Sequence, residues 1–150
     1  MPSGKTHAFM TGTVASLAIF APFPRLDQML LFVFGCLFGL VVYPDLDVDV
    51  GNYGIYLIRN VFGETVSKLW QLFWYPYAKI AAHRGFLSHF PVISSVFRIA
   101  YVGFPVYILL RAYHHVEWSE DIYYALAGLF VVDTLHIVSD IISTTIKRKF

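Results

Sequence analysis

The chain has 150 residues, room for one domain over 1–150. Its hydrophobic share is 57% and its charged share 14%, against roughly 45–50% and about 25% in soluble domains. A chain this apolar lacks the polar surface to cover a soluble core, so a bilayer is the favoured solvent. The net charge of +1 excludes a basic face for nucleic acid.

The N-terminus, MPSGKTHAF, lacks the basic, apolar and small-residue regions of a cleavable signal, so a nearby membrane segment is expected to be retained. Ala8 to Pro24 is uncharged and ends at Arg25-Leu26-Asp27. Gln28 to Tyr43 is again uncharged, and Pro44 stops it. At roughly 1.5 Å per residue each run reaches about 25 Å, slightly short of a hydrocarbon core of about 30 Å. Two antiparallel helices joined by a tight polar turn follow from this. Cys36, the only cysteine, lies inside the second run and reads as a buried, inert thiol.

Gly51, Asn52 and Gly54 mark a loop. After it, Arg59, Glu64 and Lys68 interrupt a stretch that becomes aromatic over Leu69 to Tyr77. Residues 55–82 are therefore predicted to form an interfacial or re-entrant segment, with Trp70, Trp74, Tyr75 and Tyr77 as interface anchors. Pro91 to Leu110 is a third hydrophobic segment, interrupted by Arg98, and Ile122 to Ile146 is a fourth. A polar loop, Arg111 to Asp121, separates them. The predicted fold class is all-α, an integral membrane bundle of about four hydrophobic helices plus the 55–82 segment.

Alternating helix directions bring the polar residues together. His7 opens the first helix, Asp45 and Asp47 follow the second, His83 and His89 precede the third, and Asp140 lies late in the fourth. All belong to one end of such a bundle. Asp133, His136 and Asp140 are spaced i, i+3 and i+7 and share one stripe of the fourth helix. Ionisable residues inside an apolar helix face protein or water and are functional candidates.

Imidazole and carboxylate together suit Zn²⁺, Mn²⁺ or Fe²⁺, and this many groups could hold more than one ion. Asp45, Asp47 and Asp49 mimic the start of a calcium-binding EF-hand loop. Val50 at its glycine position and Tyr56 at its bidentate glutamate position exclude that motif. Arg98 and Asp133 lie about 10–14 Å from the site end of their helices. They read either as a buried ion pair or with Asp133 as a further ligand. Asp49, His114 and His115 read as solvated.

Pro44-Asp45-Leu46-Asp47, Trp74-Tyr75-Pro76-Tyr77, His83-Arg84-Gly85-Phe86-Leu87-Ser88-His89, then Arg98 and Tyr101, resemble a family of uncharacterised bacterial membrane proteins described as metal-binding. That family is similar to the YdjM-like inner-membrane proteins, described as metal-dependent hydrolases, with an N-terminal His, a PDxD, an HRxxxSH-like segment and a late HxxxD. The resemblance implies His7, Asp45, Asp47, His83, His89, His136 and Asp140 as metal ligands. Arg84 is a candidate substrate contact for an anion, weighed against an arginine that snorkels to the interface. A more distant likeness runs to the helical zinc-dependent phospholipase C and nuclease fold. Phe90 departs from the pattern, in that related sequences often carry Ser after the second histidine.

Two functions follow from this reading. One is a metal-dependent hydrolase acting on phosphate esters or lipids at the cytoplasmic face of a bacterial membrane. The other is a non-enzymatic small subunit or assembly factor whose His/Asp cluster only staples helices. Membrane lipids, a homo-oligomer or a larger membrane complex are the expected partners. Lys147-Arg148-Lys149 and Lys5 place both termini in the cytoplasm by the positive-inside rule.

Overall fold

The computed structural model describes residues 4–42, 53–81, 90, 92–113 and 119–149. Among them the fold is all-α, with five helices and no strand. Helix α1 runs Gly4–Leu17 and tightens into a 3-10 turn over Ala18–Phe20. Pro22 and Pro24 lack the N–H that would carry the helix further. Helix α2 runs Leu26–Phe38, led by Arg25 in an extended conformation. Asp27 stands in its first turn, where a carboxylate opposes the helix dipole favourably.

Arg25 forks between Asp27 and Asp121, and Gln28 Nε2 donates to Asp121 at 2.8 Å. The two carboxylates raise the Arg25 pKa above its ordinary value. Asp121 is held below the usual carboxylate range by the Gln28 and Arg25 hydrogen bonds, and Asp27 by Arg25. This small network joins the start of α2 to the residue before the last helix.

Helix α3 spans Tyr53–Ile80, and Gly63 kinks it with φ 86° and ψ 173°. Only glycine adopts that region of backbone space readily, so Gly63 permits the kink. The segment expected to lie at an interface is thus helical on both sides of a kink at Gly63. Trp70, Phe73, Trp74 and Tyr77 recur at i, i+3, i+4 and i+7, which places them on one face. That face packs against Phe97 and Tyr101, with Val42 and Ala81 in the same cluster. Tyr101 Oη donates to the Phe73 carbonyl at 2.6 Å. Trp74 is 3% exposed and Tyr77 0%, so these two are core residues and not interface anchors.

Helix α4 covers Ile93–Tyr113 and helix α5 Ile122–Lys149. Helices α2 and α5 run in the same direction. Arg25 meets Asp121 at one end, and Gly39 meets Val132 further along. Their backbones touch between those points. A Cβ on Gly35 would stand 1.9 Å from the Ala125 carbonyl oxygen, and one on Gly128 2.1 Å from that of Phe32. Cys36 is fully buried there, its Sγ 3.5 Å from the Gly128 carbonyl. Helix α1 runs the opposite way, with His7 beside the far end of α5.

Helix α4 is tied to α5 differently. Ser95 and Arg98 both donate to Asp133 Oδ2, and Arg98 is 1% exposed and Asp133 3%. Away from this pair the helices stand apart. An apolar cavity of about 600 Å³ lies between α2, α4 and α5, lined by residues such as Leu31, Phe34, Val102, Val106 and Leu126.

The expectation of an all-α fold is met. Of the four expected membrane-crossing helices, one is long and apolar enough among the described residues, α5 over Ile122–Ile146. Helix α1 has 14 residues and α2 has 13, so each reaches only roughly 20 Å. The uncharged runs in the sequence overstate the helices because they include the turn between them. Helix α4 is apolar over Ile93–Leu109, with the buried Arg98 inside that stretch.

Two stability outcomes follow. Gly35→Val and Gly128→Val should each cost about 1–3 kcal/mol by driving α2 from α5, whereas Gly12→Ala and Gly103→Ala, with open space around them, should be neutral or slightly stabilising in thermal unfolding. Arg98→Ala and Asp133→Ala should each cost about 3–5 kcal/mol, since either leaves a buried charge unpaired. An Arg98→Ala variant that melts with the wild type would show that the pair does not hold α4.

Candidate metal centre

His7 projects from the second turn of α1, and His136 and Asp140 stand one turn apart on α5. The antiparallel crossing of α1 and α5 brings the three together. His7 Nε2 is 3.2 Å from Asp140 Oδ1, and His136 Nε2 is 3.6 Å from Asp140 Oδ2. The imidazole rings stack with centroids 3.7 Å apart and planes 15° from parallel. One ligand atom from each residue falls within 4.8 Å of the others. A tetrahedral ion bound at about 2.0–2.2 Å separates its ligand atoms by roughly 3.3 Å, close to the His7–Asp140 and His136–Asp140 separations.

The hydrogen bonding points the same way. Ser139 Oγ donates its one proton to the His136 carbonyl at 2.8 Å. Its oxygen also lies 3.3 Å from His7 Nδ1, where the roles of donor and acceptor follow the His7 tautomer. With the proton on Nδ1, the Nε2 lone pair faces Asp140. A lone pair and a carboxylate oxygen at 3.2 Å repel unless a cation stands between them, whether a proton or a metal ion.

Asp140 is 5% exposed, and neither of its carboxylate oxygens has a hydrogen-bond donor among the described residues. The nearby ring nitrogens are close without the alignment of hydrogen bonds. A buried carboxylate left in this state is costly, and a divalent ion is the partner whose chemistry matches two imidazoles and one carboxylate.

Beside the rings lies a small cavity of about 30 Å³, lined by His7, Thr11, Leu40, Tyr53, Asp133 and His136 among others. A space of that size admits a water or two. Asp133 enters it one turn before His136. Its Oδ2 is taken by Ser95 and Arg98, so the residue read from sequence as either a pair partner or a ligand has one oxygen committed to α4. Its Oδ1 is buried with no hydrogen-bond partner among the described residues.

Of the residues singled out in the sequence, His7, His136 and Asp140 come together, and Arg98 and Asp133 form an ion pair. Asp45, Asp47, His83, Arg84 and His89 lie outside the described residues, as do Asp49, His114 and His115. Leu40, three residues before the 43–52 segment, and Tyr53, directly after it, both line the small cavity. Two positioning residues escaped the sequence reading. Ser139 sits inside the His136–Asp140 interval, where its i+3 relation to His136 was the available signal. Ser95 lies one turn before Arg98 and carried no signal of its own.

Residues 2–119 match the family described as "Uncharacterized metal-binding protein (DUF2227)". The match includes His7 and Arg98 and ends before His136 and Asp140. No curated protein and no solved structure matches the chain. With more than half of its length matched and a buried His/His/Asp cluster of ligand spacing, the chain belongs to this family of metal-binding proteins.

Proposed function

We propose that the protein is embedded in a membrane and holds a divalent ion, Zn²⁺, Mn²⁺ or Fe²⁺, through His7, His136 and Asp140. The observation that carries the metal reading is Asp140: a buried carboxylate, without hydrogen-bond donors among the described residues, faced by two imidazole nitrogens. Asp45, Asp47, His83 and His89 complete the ligand set in this reading, on the resemblance of their motifs. They could support a second ion.

The membrane reading is supported by the outer surface. Phe9 is 77% exposed, Phe20 83%, Leu72 67% and Phe104 67%, and large apolar side chains stand outward on every helix. Water opposes so much apolar surface on a chain of this size, whereas lipid does not. The exposed charges Arg25, Asp27 and Glu120 gather at one end of the fold. Both termini and the metal centre face the cytoplasm in this reading, by the basic C-terminus. Membrane lipids surround the fold, with further copies or other subunits as candidate neighbours.

The activity favoured is hydrolysis of a phosphate ester or lipid at that face, on the likeness to YdjM-like proteins and on the cavity that adjoins the centre. A divalent ion there supplies Lewis acidity, enough to acidify a coordinated water toward neutral pH. The chain's own residues set the geometry. Ser139 links the His7 ring to the backbone of α5. Arg98 and Ser95 hold Asp133 at the cavity wall. Arg84 is the candidate contact for a substrate anion. The alternative, a helix-stapling subunit, uses the same ligands without turnover.

Metal content of detergent-purified protein by mass spectrometry tests the centre. The wild type should carry a near-stoichiometric transition metal, and His7→Ala, His136→Ala and Asp140→Ala should lose it while remaining folded. Ser139→Ala should weaken metal affinity by roughly 10–100-fold, as loss of an outer hydrogen bond to a ligand does. A wild type that stays metal-free after reconstitution would overturn the proposal.

A further inference from the structure

The larger cavity lies away from the metal centre. It takes up about 600 Å³ between α2, α4 and α5, within the range of roughly 300–1,000 Å³ that holds small-molecule ligands. Its walls are apolar, with Leu31 and Phe34 from α2, Val102 and Val106 from α4, and Leu126 and Leu129 from α5. Water is a poor occupant there, because a buried water needs about two to four polar partners. An apolar chain instead gives dispersion contacts to all three helices. Gly103 widens the space on α4, where an added Cβ would meet nothing within 4 Å.

The two ends of the cavity differ. At one, Ile99 and Leu129 stand within a turn of the Arg98–Asp133 pair. The other carries Ser119 and Glu120, at the end of the fold where exposed charges gather. Glu120 is the one charged side chain among the described lining residues, and Arg111 on the last turn of α4 is not one of them. Arg25, which pairs with the neighbouring Asp121, is also held by Asp27. Phe34, Val106 and Tyr123 line the cavity and are exposed, so it opens sideways on the outer surface. A ligand suited to this space is apolar along its length, enters from the side and is polar only near Glu120. A carboxylate at that end favours a cationic head and repels an anionic one.

We propose that this cavity binds an acyl chain of a membrane lipid whose head carries an ammonium group, as phosphatidylethanolamine does, with the ammonium against Glu120. The inference rests on the membrane reading and is independent of the metal. The bound chain completes the packing of α4 against α2 and α5, which the Arg98–Asp133 pair begins.

The test uses the full chain in mild detergent, offered equal amounts of phosphatidylethanolamine and phosphatidylglycerol with matched acyl chains. Native mass spectrometry reads the lipid retained. The wild type should hold one lipid, with phosphatidylethanolamine preferred on the order of tenfold. Glu120→Gln should lose that preference. Gly103→Phe, which fills the cavity, should lose most of the bound lipid without a fall in melting temperature. No lipid on the wild type, no preference between the two heads, or undiminished binding by folded Gly103→Phe would overturn the inference.

Photolabelling of the wild type decides independently of whether the variants fold. Phosphatidylethanolamine with a diazirine on its acyl chain should label α2, α4 and α5 around Phe34, Val102 and Leu126. Labelling confined to outward residues such as Phe9 and Leu72 would overturn the inference alone. A chain recovered from cells in the aqueous fraction without detergent would overturn the membrane reading and this inference with it.

Discussion

Asp133, His136 and Asp140 are buried along one stripe of an otherwise apolar helix, and the rest of the structure is arranged around their need for partners. Each buried charge would cost several kcal/mol if left alone. Asp133 is answered from α4, by Arg98 and Ser95. Asp140 and His136 meet His7 of α1, and the three together form the candidate metal centre, with Ser139 between His7 and the backbone of α5. The polar stripe thus sets where α1 and α4 meet α5.

Apolar packing does the complementary work. Helices α2 and α5 approach until backbone meets backbone at Gly35 and Gly128, an approach suited to surroundings where close dispersion contact and not water exclusion holds helices together. Helix α4 is different: it meets α5 through the Arg98–Asp133 pair and leaves a large apolar cavity between itself, α2 and α5. Its aromatic neighbours on α3 anchor it from the other flank, through Tyr101 and Phe97. One helix is therefore positioned by charge, one by glycine, and one by an aromatic stripe.

Much of this was legible in the sequence. The i, i+3, i+7 spacing of Asp133, His136 and Asp140 exposed the stripe, and alternation of helix direction placed His7 at its far end. The aromatic run over Leu69 to Tyr77 was read by composition, as an interface, because Trp and Tyr prefer that depth. Its 3.6-residue periodicity instead buries Trp74 and Tyr77. Gly63 gave no warning of a kink, since an isolated glycine within a helical pattern is compatible with many backbones. Ser139 and Ser95 were silent because hydroxyl groups become informative only when their neighbours in space are known. The motifs PDLD and HRGFLSH, expected from the sequence to supply ligands, fall outside the described residues.

A bound cation, and not merely a folded polar cluster, is proposed to stabilise Asp140. Thermal unfolding of metal-loaded wild type and Asp140→Asn, each before and after chelation, measures this directly. Chelation should lower the wild-type melting temperature by several degrees, because it leaves a buried carboxylate facing lone pairs. The Asp140→Asn protein, which has no such charge, should lose most of that sensitivity. A wild type whose melting temperature is unmoved by complete removal of metal would contradict the claim and leave the cluster as a hydrogen-bonded helix lock.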